Sequence, residues 1–257
     1  TQELFLSTNP TLLNGKNIKL LGITIDDGLN WQAHINQVSS KLASTIFLLR
    51  KLRPLLSFSL LLSAYHALFQ SRLMYGILIW GSSSYAIKIF RLQKRAVRIL
   101  ANASLRDHCK PLFLKYGILT FPCLYIISML IEIHKKQKTM VKNSDVHSYN
   151  TRQAQHIKTA KYKFTKSIKN SLDISMYNNL PESYKNLPLT TFKHKITKHC
   201  KMHNFYSVDE YKQNTPYTFI KYVSILNSYM WTFCLTLLGL ALHKFHVDIV
   251  RSLFCCM

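Results

Sequence analysis

The chain has 257 residues, 48% of them hydrophobic, which is enough for one large domain or two small ones with a sizeable core. Lys and Arg number 34 against 11 Asp and Glu, a net charge of +23, and such an excess points to a polyanionic partner: nucleic acid first, an anionic membrane surface second. The six cysteines are irregularly spaced with no CxxC, which excludes a disulfide scaffold and suits a reducing compartment, and seven glycines in all favour helices over a Gly-rich-loop fold.

In chain order, Glu3–Leu6 and Ile18–Ile25 read as two strands, with Asn14-Gly15 between them as a tight turn. A lone hairpin is marginal in water and must pack on something. Asp26-Asp27-Gly28 ends the second strand. A helix is predicted from Trp31 to Leu52, its apolar positions Ile35, Val38, Leu42, Ile46 and Leu49 at helical spacing, its C-terminus rich in cations and stopped by Pro54.

The stretch Ser59–Leu100 organises the rest. It holds two helices split by Gly81-Ser82-Ser83-Ser84. The first, capped by Ser57 or Ser59, is apolar almost all round (Leu61, Tyr65, Leu68, Leu73, Ile77, Trp80) and belongs in a core. The second is two-faced. At 100° per residue, Lys88, Arg91, Lys94, Arg95 and Arg98 fall on one side, while Ile89, Leu92, Ala96, Val97, Ile99 and Leu100 fall on the other. A loop from Asn102 to Pro111 follows, then an apolar helix from Pro122 to Lys138 that includes His134. Thr139–Asn170 reads as a long, mobile, basic connection with Tyr149, Tyr162 and Phe164 as aromatic anchors. Turns fall at Asn178–Pro181 and Asn186–Pro188, and Thr190 or Thr191 caps a last basic helix, Phe192–Phe205.

The order of several short blocks resembles the region that follows the polymerase palm in non-LTR retrotransposon reverse transcriptases, especially the jockey-like group. Ile18-Lys19-Leu20-Leu21-Gly22-Ile23-Thr24-Ile25-Asp26 with Leu29, Trp31, His34 and Ile35 resembles one block. Leu73-x-Tyr75-Gly76 with Trp80, then Leu92-Gln93-Lys94-Arg95-Ala96-x-Arg98-Ile99, resembles the thumb block. His147-x-Tyr149-Asn150-Thr151-Arg152, Tyr177-Asn178-x-Leu180-Pro181 and Phe192-Lys193 resemble C-terminal blocks. The matches cover roughly residues 1–205. The resemblance implies a primer-grip-like edge at Leu21, Gly22 and Ile23, and a helical thumb that tracks duplex backbone. It also implies that the carboxylates holding the two Mg ions of such a polymerase lie on palm strands upstream of the first residue, so no cofactor is expected in this chain and a separate palm-containing chain is a candidate partner.

Other candidate sites weigh less. Thr24-Ile25-Asp26-Asp27 imitates a paired-Asp polymerase hairpin, but no third carboxylate strand accompanies it, and helix capping is the simpler role. His194, His199, Cys200 and His203 share one helix, where Cys200 sits about 100° from the His199–His203 face, so zinc is not expected. His108-Cys109 is a loop pair with no partner in sequence. Trp31 and Trp80 suit burial better than base stacking, and His34 suits the hairpin–helix junction. Val223–Leu242 is twenty residues without a charge, long enough to span a bilayer.

The expectation is a mainly α fold: a hairpin (1–30), a helical thumb-like domain (31–138), a basic C-terminal region (139–210) and a hydrophobic tail with a C-terminal helix (211–257). It binds RNA or RNA–DNA duplex backbone through Lys88, Arg91, Lys94, Arg95 and Arg98, and has no catalytic or metal residues of its own. The competing classes are a membrane-anchored basic protein and a non-functional relic of a transposable element. Location follows the class: nucleus or cytoplasm if soluble, membrane if the tail inserts.

Overall fold

The computed structural model describes residues 17–146, 149, 151–159 and 174–214. The described residues are mainly helical, with one antiparallel hairpin near the N-terminus. Contacts divide the chain into two units, Thr1–Tyr211 and Lys212–Met257; the elements that build the site lie in the first. Glu3–Leu6, Asn14-Gly15, Tyr162, Phe164 and Val223–Leu242 fall outside the described residues, as does the predicted C-terminal helix. Among the described residues no helix is long and apolar enough to cross a membrane.

The predicted strand Ile18–Ile25 is not one strand. It folds back on itself as β1 (Ile18–Leu20) and β2 (Ile23–Ile25), with Leu20 opposite Ile23. The two-residue loop Leu21-Gly22 has φ of 47° and 79°, the left-handed pair that such a turn requires. Leucine is an unusual first residue there, and unbroken apolar character across the turn hid it. β1 is exposed, whereas Ile23 and Thr24 of β2 are buried.

After the hairpin, Asp26 secures the approach to helix α1 (Gln32–Leu52). Its two carboxylate oxygens accept from the backbone N–H groups of Asn30 (3.2 Å) and Trp31 (2.9 Å). This fixes Trp31 in a left-handed conformation just ahead of the helix, where the ring is buried. His34 joins hairpin to helix: its Nδ1 accepts from the Thr24 N–H at 3.3 Å, and its ring meets Trp80 edge-on. Ile35, Leu42, Ile46 and Leu49 form the buried stripe of α1.

The predicted apolar helix Ser59–Trp80 is interrupted and not buried all round. It comprises α2 (Phe58–Ala64), a π turn (Tyr65–Gln70), α3 (Ser71–Met74), a break at Tyr75-Gly76 and α4 (Ile77–Trp80). Leu61, Tyr65, Phe69, Leu73 and Ile77 are buried, while Phe58, Leu60, Met74 and Ile79 are exposed. A strict four-residue spacing drifts by about 40° per step on an ideal helix. The wider π turn takes up part of that drift and keeps the stripe on the core.

Helix α5 (Ile87–Ala101) packs mainly on α1 and ends at Asn102, which is left-handed. The predicted loop at Asn102–Pro111 contains the start of α6 (Cys109–Lys115), a helix too short to register as a period. Helix α7 (Phe121–Lys136) is capped by Thr120, whose hydroxyl accepts from Cys123 N–H. Short helices α8 (Ile174–Asn178) and α9 (Glu182–Lys185) lead to α10 (Leu189–His203), which packs on α7, and to α11 (Val208–Gln213). Pro188, not Thr190 or Thr191, precedes α10, consistent with proline's fit at a helix start.

The predicted basic connection is partly structured. Lys142 and Ile157 form an antiparallel bridge, and the Asn178 amide clasps the Ile157 backbone, donating to its carbonyl (2.9 Å) and accepting from its N–H (3.1 Å). Tyr149 is 77% exposed.

Candidate nucleic-acid interface

The rotation of α5 is set by one polar side chain in the core. Gln93 is fully buried; its Nε2 donates to Tyr65 Oη (3.0 Å) and to the Leu119 carbonyl (2.9 Å), and its Oε1 accepts from the Phe121 N–H (2.7 Å). That last contact satisfies an otherwise orphaned N–H in the first turn of α7. With Gln93, Ile89, Ala96, Val97 and Leu100 inward, the opposite arc of α5 must face out.

The five predicted cations divide into two groups. Lys88, Arg91 and Arg95 are exposed. Lys88 Nζ donates to Asn36 Oδ1 of α1 at 2.9 Å, while Arg91 and Arg95 make no hydrogen bond or ion pair among the described residues. Lys94 and Arg98 are half-buried at the other edge of the arc. Lys94 Nζ stands over the rings of Phe90 (4.8 Å) and Tyr206 (5.5 Å), and Arg98 Nε donates to the Asp107 carbonyl (3.0 Å). The outward arc is therefore narrower than sequence suggests: α1 borders it through Lys88, Tyr206 and the Asp107 loop border it through Lys94 and Arg98, and Arg91 and Arg95 occupy its centre. Long cationic side chains with free heads can reach phosphate oxygens without reading bases.

The hairpin tip is the second predicted contact, and the structure joins it to the thumb-like block. Leu21 is 82% exposed, and its carbonyl accepts from Tyr75 Oη. Ile23 is buried against Gly76, where an added Cβ would come within 2.8 Å of Ile23 Cδ1 and where φ is +62°. Trp80 Nε1 then donates to the Tyr75 carbonyl at 3.0 Å. Two blocks more than fifty residues apart thus meet at Leu21-Gly22-Ile23 and Tyr75-Gly76.

The remaining candidates take structural positions. Asp26 is occupied by backbone N–H groups, and Asp27 Oδ1 accepts from Gly28 N–H. Trp80 is buried and stacks on Phe121 at 5.5 Å. Cys109 begins α6, is buried, and its thiol donates to the Lys94 carbonyl (3.6 Å), so it is no loop residue. Cys200 turns into the core toward Cys123, whose thiol donates to the Cys200 carbonyl at 3.7 Å, away from His199 and His203. Cys200's hydrogen bond and the Thr120 hydroxyl lower the Cys123 thiol pKa, and contact with Cys123 together with burial raises that of Cys200. Among the described residues no group of three His, Cys, Asp or Glu side chains is placed to hold a metal.

Sequence reasoning missed Gln93, Tyr206 and His134 as organising residues. Gln93 is a polar residue at a core phase of an amphipathic helix, and His134 a polar residue on an apolar one. Burial and the Lys94 and Lys110 ring contacts mark Tyr206, whose phenol pKa is pushed up to about 12 chiefly by burial. His134 Nδ1 is 3.0 Å from Tyr177 Oη, Nε2 is 2.9 Å from the Leu187 carbonyl, and the ring stacks on Phe192 at 4.0 Å. The C-terminal blocks that contain Tyr177 and Phe192 therefore pack on α7.

No family model, curated protein or solved structure matches the chain.

Proposed function

We propose that this chain is a nucleic-acid-binding segment of the kind that follows the palm in jockey-like non-LTR reverse transcriptases, gripping primer–template backbone without contributing catalytic carboxylates. The observation that carries the reading is the exposed arc of α5, where Lys88, Arg91 and Arg95 face outward on a helix locked in rotation by Gln93. A helix whose core face is pinned by a buried polar network turns its charges outward, which suits a backbone-tracking role. The joined hairpin tip supports the same reading: Leu21, Gly22 and Ile23, the primer-grip-like edge of the resemblance, are held by Tyr75 and Gly76 of its thumb block.

On this reading the metal-dependent step of DNA synthesis belongs to carboxylates other than those of residues 1–257. The test is binding of a labelled RNA–DNA duplex by the wild-type chain and by the K88Q/R91Q/R95Q variant. The variant is expected to bind at least tenfold more weakly at low salt with unchanged helix content. Equal affinity of the two proteins would remove α5 as the contact. Arg98 is left out of the variant because its guanidinium supports the Asp107 loop.

A further inference from the structure

The ion pairs of the described Lys and Arg side chains use Glu132, Glu182 or Glu210, and no Lys or Arg of α5 or α10 takes part in one. Helix α10 contains Lys193, Lys195, Lys198, Lys201, His194, His199 and His203 and no acid. Its buried stripe is Phe192, Ile196 and Cys200. At 100° per residue the opposite arc carries Lys195, Lys198, Lys201 and His194, all exposed.

Lys195, Lys198 and Lys201 follow one another at three-residue steps, a row about 9 Å long. Like charges at this spacing work against helix formation, and the fold makes little use of them. Lys195 stands over the Tyr184 ring at 5.5 Å, while Lys198 and Lys201 make no hydrogen bond, ion pair or ring contact among the described residues. Just past the end of α10, the Tyr206 ring is faced by both Lys94 of α5 (5.5 Å) and Lys110 of α6 (5.7 Å). The segment that follows α10 therefore packs against Lys94 at the edge of the α5 arc.

We propose that α10 is a second phosphate-backbone contact, with Lys195, Lys198 and Lys201 taking phosphates of the same nucleic acid that α5 engages. This rests on the nucleic-acid reading of α5 and extends the footprint onto a helix that the reading did not include. Phosphate contacts of this kind add to affinity by releasing counterions and carry no sequence preference.

The experiment titrates the full chain, K195Q/K198Q/K201Q, K88Q/R91Q/R95Q and the six-site combination against a labelled RNA–DNA duplex between roughly 50 and 200 mM salt. Glutamine keeps helix propensity close to that of lysine, and circular dichroism checks helix content. The α10 variant is expected to bind at least tenfold more weakly at low salt. Its log K against log salt slope should be shallower by about 3, since each phosphate contact contributes about 0.9. The combined variant should lose both increments. K195R/K198R/K201R keeps the charge and should bind like wild type; if it weakens equally, charge is not the cause and the proposal falls. Wild-type affinity and slope in the α10 variant, alongside a weakened α5 variant, would make α10 a solvated face and leave the α5 reading standing. A weakened α10 variant with an unaffected α5 variant would keep α10 as a phosphate contact but remove α5 and overturn the shared footprint. No effect from either set removes both.

Discussion

Gln93 is the residue on which the orientation of the candidate site depends. Replacing it with leucine keeps its bulk but leaves the Phe121 N–H, the Leu119 carbonyl and the Tyr65 hydroxyl unpaired in the core. Q93L is expected to lower stability by roughly 2–4 kcal/mol, read as a shift in the urea midpoint. Gly76 is constrained differently, by its positive φ and by Ile23 at 2.8 Å from where a Cβ would stand. G76A should cost roughly 1–3 kcal/mol and loosen the hairpin, seen as faster amide exchange at Ile23 and Thr24. Leu21 points the other way. It holds a left-handed conformation that asparagine adopts more easily, so L21N should stabilise the chain by about 1 kcal/mol. These roles were unevenly legible in sequence. The cations of α5 stood out because charge and period coincide. Gln93 did not, because an amide at a core phase reads as noise until its three partners, drawn from distant segments, are seen together. Leu21-Gly22 was misread as mid-strand because Leu20 and Ile23 continue the same apolar character on either side of it.

At the scale of elements, the long helices were readable because their apolar stripes keep an unbroken period: Ile35 to Leu49 in α1, Ile89 to Leu100 in α5. The short ones, α6, α8 and α9, are held by tertiary contacts and leave little local trace. The α7–α10 packing was invisible in the same way, although its centre, His134, is a single residue. Burial lowers the pKa of His134, so the neutral ring is the form that the folded state favours. A depressed histidine pKa gives stability that is complete above the unfolded value, about 6.5, and is lost as pH falls through it toward the folded value. His34, at the hairpin–helix junction, and His156 are shifted in the same direction, also chiefly by burial. Amide-exchange protection of α10 should therefore fall between pH 7.5 and 5, and H134Q should flatten that fall. Unchanged protection across the range would contradict the role given to His134.

For the whole molecule, charge dominates. An excess of 34 cations over 11 acids leaves most of the basic surface unneutralised from within, and the described ion pairs gather at α6, α7, α9 and α11. Self-repulsion of this size should make the folded chain more stable as salt rises, because screening weakens repulsion between exposed charges. A polyanion bound to the folded state should raise the melting temperature further by mass action. The most direct measurement of the central claim is the affinity of the full chain for an RNA–DNA duplex as a function of salt. A linear fall of log K with log salt, with a slope that counts several phosphate contacts, is the predicted result. A folded chain that does not bind the duplex at low salt would contradict it.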